Sequence, residues 1–131
     1  MPNKTEGAAV RYVEGWAKRR KIKTKRVKKG SGFDRLFIYP SGMKEEIEIK
    51  GSATDDGLPD MPSSEFRRRR LKADFVHFVA NVEAHRKRHY IIPRNEFKPG
   101  DLYPKHTYRI NIGQRRLDNY LVKRKRRTSS S

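Results

Sequence analysis

Cysteine is absent from this chain of 131 residues. That excludes disulfides and thiolate metal sites, and it fits a reducing compartment. Acidic residues are scarce: 15 Asp and Glu stand against 33 Lys and Arg, a formal net charge of +18. Such an excess on a short chain calls for an anionic partner, most simply nucleic acid gripped through its phosphates. Long apolar runs are missing as well. No stretch reaches spanning length and no basic helix carries a wide apolar face, so no membrane partner is expected. The amino-terminal MPNKTEGAAV has no apolar signal-peptide core. The expected location is intracellular, in cytoplasm, nucleoid or nucleus, and not secreted. Hydrophobic residues make up 34%, enough for one modest core. A single domain over 1–131 is expected, with its core at about 7–122 and a basic, serine-ended tail at 123–131.

What is present is organised around residues 33–52, FDRLFIYPSGMKEEIEIKGS. Phe33 to Tyr39 is aromatic and branched, as suits a strand. Pro40-Ser41-Gly42 is turn chemistry, with proline fixing one dihedral and glycine free to take a positive one. Lys44 to Lys50 alternates strictly. Ile47 and Ile49 therefore share one face, and Glu46, Glu48 and Lys50 share the other. If the two strands are antiparallel neighbours, Asp34 lies near the far end of the second, close to Glu48 and Lys50. Two carboxylates and a lysine in one patch can hold a divalent metal and polarise a water. An ordinary half-exposed hairpin shows the same alternation. The basic surroundings favour the metal reading, because a metal there could be set against a phosphate.

Towards the amino terminus, Ala9, Val10, Val13, Trp16 and Ala17 recur at helical spacing within residues 7–20 and make one stripe, with Thr5 as a candidate cap. Trp16 lies on the stripe and reads as a core anchor. Glu14 lies off its centre and reads as a solvated helix residue. A first strand is expected at about 24–28, inside the basic run Lys18 to Lys29. That run, with Lys28 and Lys29 at its end, is either a solvated charge run or a phosphate-facing surface. Gly30-Ser31-Gly32 makes a turn, and no Lys-Ser/Thr pair follows to complete a nucleotide phosphate loop.

Residues 52–64 read as a long loop. Asp55, Asp56 and Asp60 in it lack the spacing of a calcium-binding loop. Arg67, Arg68, Arg69 and Arg70 are consecutive, so they cannot share one helix face, and some must reach solvent or a partner. Ala73 to Asn81 reads as a strand covered on both sides. Phe75, His77 and Val79 face one way, and Val76, Phe78 and Ala80 the other; His77 reads as a buried, hydrogen-bonded histidine. The next strand runs from His89 to Pro93. His85 and His89 are spaced as half a zinc site, but no cysteine and no second pair completes it. A short strand at 106–112 carries Tyr108, Ile110 and Ile112 on one face. A helix at 114–122 has Leu117, Tyr120 and Leu121 as its apolar positions. Lys123 and Arg124 begin a final basic cluster that would order on nucleic acid.

Asp34, the turn, and then Glu48-Ile49-Lys50 resemble the PD-(D/E)XK nuclease superfamily, the restriction-endonuclease-like or Holliday-junction-resolvase-like fold. Val10 to Arg20 resembles that family's first helix, Ala73 to Val79 its fourth strand and Tyr90 to Pro93 its fifth. The resemblance spans about residues 7–93, and more loosely to about 120. Phe33, not proline, precedes Asp34. The resemblance implies an α/β fold with an αβββαβ core, a central mixed sheet flanked by helices, and a helix at the arginine run between the third and fourth strands. It implies that Asp34 and Glu48 hold magnesium or manganese, with the Ile49 carbonyl as a further ligand. Lys50 would position the attacking water or steady charge on the phosphate. Many members also carry a glutamate on the first helix, for which Glu14 and Glu6 are the candidates.

The expected function is metal-dependent hydrolysis of phosphodiester bonds in DNA. Lys28, Lys29, Arg67, Arg68, Arg69, Arg70, Lys123 and Arg124 would hold the backbone. Composition does not separate DNA from RNA. The alternatives are a non-catalytic basic nucleic-acid-binding protein and a nuclease-like fold without activity. A homodimer would suit cleavage of both strands, since its symmetry matches that of a duplex.

Overall fold

The amphipathic amino-terminal segment forms helix α1 (Lys4–Arg19). The computed structural model describes residues 4–27, 35–54, 60–62, 73–82, 85–97 and 109–122. Thr5, expected as the cap of α1, lies inside the helix, which begins one residue earlier. The other end stops by backbone geometry. Lys21 takes a left-handed φ of 64°; its N–H donates to Lys18 O at 3.1 Å, and that of Ile22 donates to Ala17 O at 2.9 Å. Two orphan carbonyls of the last turn are thereby satisfied, and the reversal drops Ile22 onto the core beside Ala17.

Five strands form the main sheet: β1 (Lys23–Arg26), β2 (Arg35–Ile38), β3 (Lys44–Gly51), β5 (Phe75–Ala80) and β6 (Arg88–Pro93), in the order β1-β2-β3-β5-β6. The first three are an antiparallel meander. β3 and β5 are parallel, and β6 returns antiparallel to β5. The β2–β3 turn follows from its sequence. Gly42 N donates to Tyr39 O and Tyr39 N to Met43 O, both at 2.8 Å. Gly42 sits at φ 91°, the left-handed position that closes a three-residue hairpin loop. The chain is thus α/β with a mixed sheet, as expected. The helix expected at the arginine run lies outside the described residues, as do Tyr108 and the tail.

Two readings are corrected. The segment 52–64, read as loop, contains strand β4 (Asp60–Pro62), which pairs antiparallel with β7 (Arg109–Asn111) in a separate two-stranded sheet. The terminal helix is shorter than its apolar spacing suggests. It runs as α2 (Gln114–Leu117) and continues as a 3-10 turn to Tyr120. Leu121 leaves it to bridge Tyr90 on β6 and is 39% exposed, so it is not a packing position.

The sheet is buried between two apolar layers. Ala9, Val13, Trp16 and Ala17 of α1 pack on Phe37, Ile47, Ile49 and Val79. On the opposite face, Val76, Phe78, Ala80, Tyr90 and Ile92 pack with Phe97, Ile112 and Leu117. β5 therefore contributes to both layers, which explains its near-continuous apolar run. Each large apolar side chain buried this way contributes roughly 1.5–3 kcal/mol. Among the described residues, no helix is long and apolar enough to cross a membrane.

Candidate functional site

β3 carries the central part of the site. Its alternation puts Ile47 and Ile49 into the layer under α1, both fully buried. Glu46, Glu48 and Lys50 are thereby turned to the opposite face. There Glu48 and Lys50 lie beside Val76 and Phe78 of β5 in the parallel register. Lys50 Nζ stands 3.4 Å from Glu48 Oε2, and the two side chains are only 26% and 12% exposed. Partial burial strengthens this charge pair relative to one in open water. A half-buried carboxylate beside an ammonium is the part of the expected constellation that the described residues contain.

The surroundings of that pair are ordered by main-chain bonds. The β2–β3 ladder runs from Ile38–Lys44 to Arg35–Ile47, so its last described step is next to Glu48. Asp74, just before β5, accepts a bond from Glu46 N at 2.9 Å and donates its own N–H to Glu46 O at 2.7 Å. This carboxylate pins the start of β5 to β3 and was not singled out from the sequence. Only the parallel register puts it beside Glu46, and register is a tertiary fact. The Ile49 main chain, expected as a carbonyl ligand, lies within the β3–β5 ladder opposite His77.

Of the other expected site residues, Glu14 is on α1, where its Oε2 accepts from Arg35 Nε at 2.9 Å. Its sequence position suits a solvated helix residue or a further acid of the site; the structure places it in this ion pair between helix and sheet. Asp34 lies outside the described residues, as do Lys28, Lys29, Arg67, Arg68, Arg69, Arg70, Lys123 and Arg124. Among the described residues, no three His, Cys, Asp or Glu side chains come together as a metal-holding group. The oxygen-only donors of the expected set, carboxylates and one carbonyl, suit a hard cation such as magnesium.

Behind the sheet, under α1, lies a buried pair that sequence reading found only by half. His77 was expected to be buried and hydrogen-bonded, and its Nδ1 lies 2.9 Å from Nε2 of His89. Both rings are almost completely buried. They sit on adjacent strands, packed edge-on against Trp16, with Phe37 and Tyr12 completing the ring cluster. The Arg20 guanidinium caps Trp16 from outside, 4.4 Å from the ring centroid. Burial, and then the neighbouring His89, holds the His77 imidazole well below the usual histidine range. Burial, and then Arg20, pushes His89 down to about 3. Both are held in the neutral form, and they lie on the α1 side of the sheet, on the face opposite Glu48 and Lys50. No family model, curated protein sequence or solved structure matches the chain.

Proposed function

We propose that the chain is a metal-dependent endonuclease that hydrolyses phosphodiester bonds in DNA, on a restriction-endonuclease-like core. The observation that carries this reading is the Glu48–Lys50 pair, two residues apart on the central strand of a mixed sheet, half-buried and 3.4 Å apart. The element order supports it in part: a helix, a three-stranded antiparallel meander and two further strands in one mixed sheet. Asp34 precedes Arg35 in the chain, and Arg35 pairs with Ile47, the neighbour of Glu48. Asp34 is accordingly the second carboxylate of the proposal.

In this reading Asp34 and Glu48 hold magnesium or manganese, with the Ile49 carbonyl. The ion would supply Lewis-acid stabilisation of the phosphate and a lowered pKa for bound water. Glu48 contributes negative charge from a fixed strand position, so little reorganisation is needed on binding. The Lys50 ammonium offsets that charge in the free protein and orients the attacking water in the complex. Lys28, Lys29, Arg67, Arg68, Arg69, Arg70, Lys123 and Arg124 are the residues that would hold the DNA backbone in this reading.

A basic binding protein without catalysis is the second reading, and the +18 charge favours it independently of any metal. Magnesium-dependent nicking of supercoiled plasmid by the purified protein separates the two. Nicking that disappears in Glu48→Ala and in Lys50→Ala is expected; a protein that binds the plasmid and never nicks it is the binding protein.

A further inference from the structure

α1 presents a second stripe beside its buried one. Arg11, Tyr12, Gly15 and Arg19 lie along it, and they face Val82 and Lys87 at the β5–β6 connection. Together these residues line an open groove of about 430 Å³. Among the described residues that line it, three are cationic and none is acidic. Arg11 and Arg19 are eight residues apart on the helix, which is about 12 Å of axis. Lys87 Nζ lies 5.8 Å from the Tyr12 ring centroid, and Tyr12 is anchored edge-on against His89.

The floor of this groove is a glycine in mid-helix, where glycine is among the least favourable residues. Among the described residues, nothing packed against it requires a glycine. A Cβ built on Gly15 would meet only the tip of Arg19, at an ordinary 3.6 Å. By contrast, a Cβ on Gly51 would come within 2.7 Å of Ala9 Cβ, so there the fold itself demands glycine. The absent side chain at position 15 leaves room on the helix surface for the Arg19 guanidinium, whose Nη1 lies 3.6 Å from where a Cβ would sit.

We propose that the groove formed by Arg11, Tyr12, Gly15, Arg19 and Lys87 binds the phosphodiester backbone of a single nucleic-acid strand. It lies on the α1 side of the sheet, apart from the face that carries Glu48 and Lys50. The strand runs along α1 with phosphates on Arg11, Arg19 and Lys87. It approaches the helix backbone at Gly15, where any larger residue would stand in its way. The inference holds whether or not the protein cleaves DNA.

The test is fluorescence anisotropy with a short labelled single-stranded DNA, in EDTA so that no hydrolysis is involved. The full chain carrying Arg11→Gln, Arg19→Gln and Lys87→Gln is compared with an equal-charge control, Lys25→Gln, Arg94→Gln and Arg115→Gln, at exposed positions elsewhere. The groove variant is expected to lose roughly tenfold in affinity, and the slope of log K on log salt to shrink by about 2, since each phosphate on a single strand contributes ~0.7. The control should change both much less. Gly15→Leu keeps every charge and is a better helix former. It should weaken binding several-fold at an unchanged salt slope, with an unchanged far-ultraviolet circular dichroism spectrum. A groove variant that loses no more than the control overturns the proposal, and so does a folded Gly15→Leu protein that binds like wild type.

Discussion

An imidazole buried in its neutral form resists protonation until the structure around it opens. His77 and His89 are two such groups, both with lowered pKa in the folded protein, His89 at about 3. The unfolded chain takes up protons on these residues below about pH 6.5, and the folded chain does not. Their contribution is therefore complete above pH ~6.5 and is lost as the pH falls through the window down to the folded pKa. By pH 5 His89 alone should cost on the order of 2 kcal/mol, and His77 acts in the same direction. Thermal unfolding followed from pH 7 to 5 should show a falling midpoint, and the double variant His77→Leu, His89→Leu should show a flatter profile. Equal slopes in the two proteins would mean that the pair is not buried neutral. A second effect at this scale is Lys21, which holds a left-handed conformation that costs an L-residue on the order of 1 kcal/mol. Lys21→Gly should raise stability in urea denaturation by up to about that amount.

At the scale of elements, the contact between α1 and β3 depends on Gly51. A Cβ there would lie 2.7 Å from Ala9 Cβ and 3.1 Å from Thr5 O. Gly51→Ala should therefore push the helix off the strand and destabilise by about 1–3 kcal/mol, as overpacking does. Denaturant unfolding measures this, and an unchanged midpoint would mean that the helix end is free to shift.

Several elements were legible because their signals are local. The stripe of Ala9, Val13, Trp16 and Ala17 marks α1, Pro40-Ser41-Gly42 marks the hairpin, and the apolar run from Phe75 to Ala80 marks a strand buried on both faces. Other features were not legible, because they depend on partners distant in sequence. β4 is three residues with a proline, and it is a strand only because β7 pairs with it. Leu121 fits a helical stripe, yet the bridge to Tyr90 takes it out of the helix. The site shows the same division. Period-two alternation places Glu48 and Lys50 together, whereas Asp74 and the His77–His89 contact need the β3–β5 and β5–β6 registers.

At the scale of the whole molecule, the net charge of +18 governs encounter with any polyanion. Binding to DNA should weaken by at least about tenfold between 50 and 200 mM salt through counterion release. A flat response, read by anisotropy across that range, would remove nucleic acid as the partner. Replacing Arg67 through Arg70 with glutamine should weaken binding irrespective of DNA sequence and reduce the salt slope, if those side chains reach phosphates.

In the proposed function, a carboxylate pair including Glu48 holds a divalent metal while Lys50 serves the water. This is tested most directly by calorimetric titration of magnesium into the wild type, Glu48→Ala and Lys50→Ala, with plasmid nicking measured on the same samples. Loss of a ligand should lower metal affinity in Glu48→Ala, and added magnesium should restore part of its nicking. Lys50→Ala should keep its metal and lose turnover. Equal magnesium affinity in wild type and Glu48→Ala, with no nicking by the wild type, would mean that the protein is not a metal-dependent nuclease.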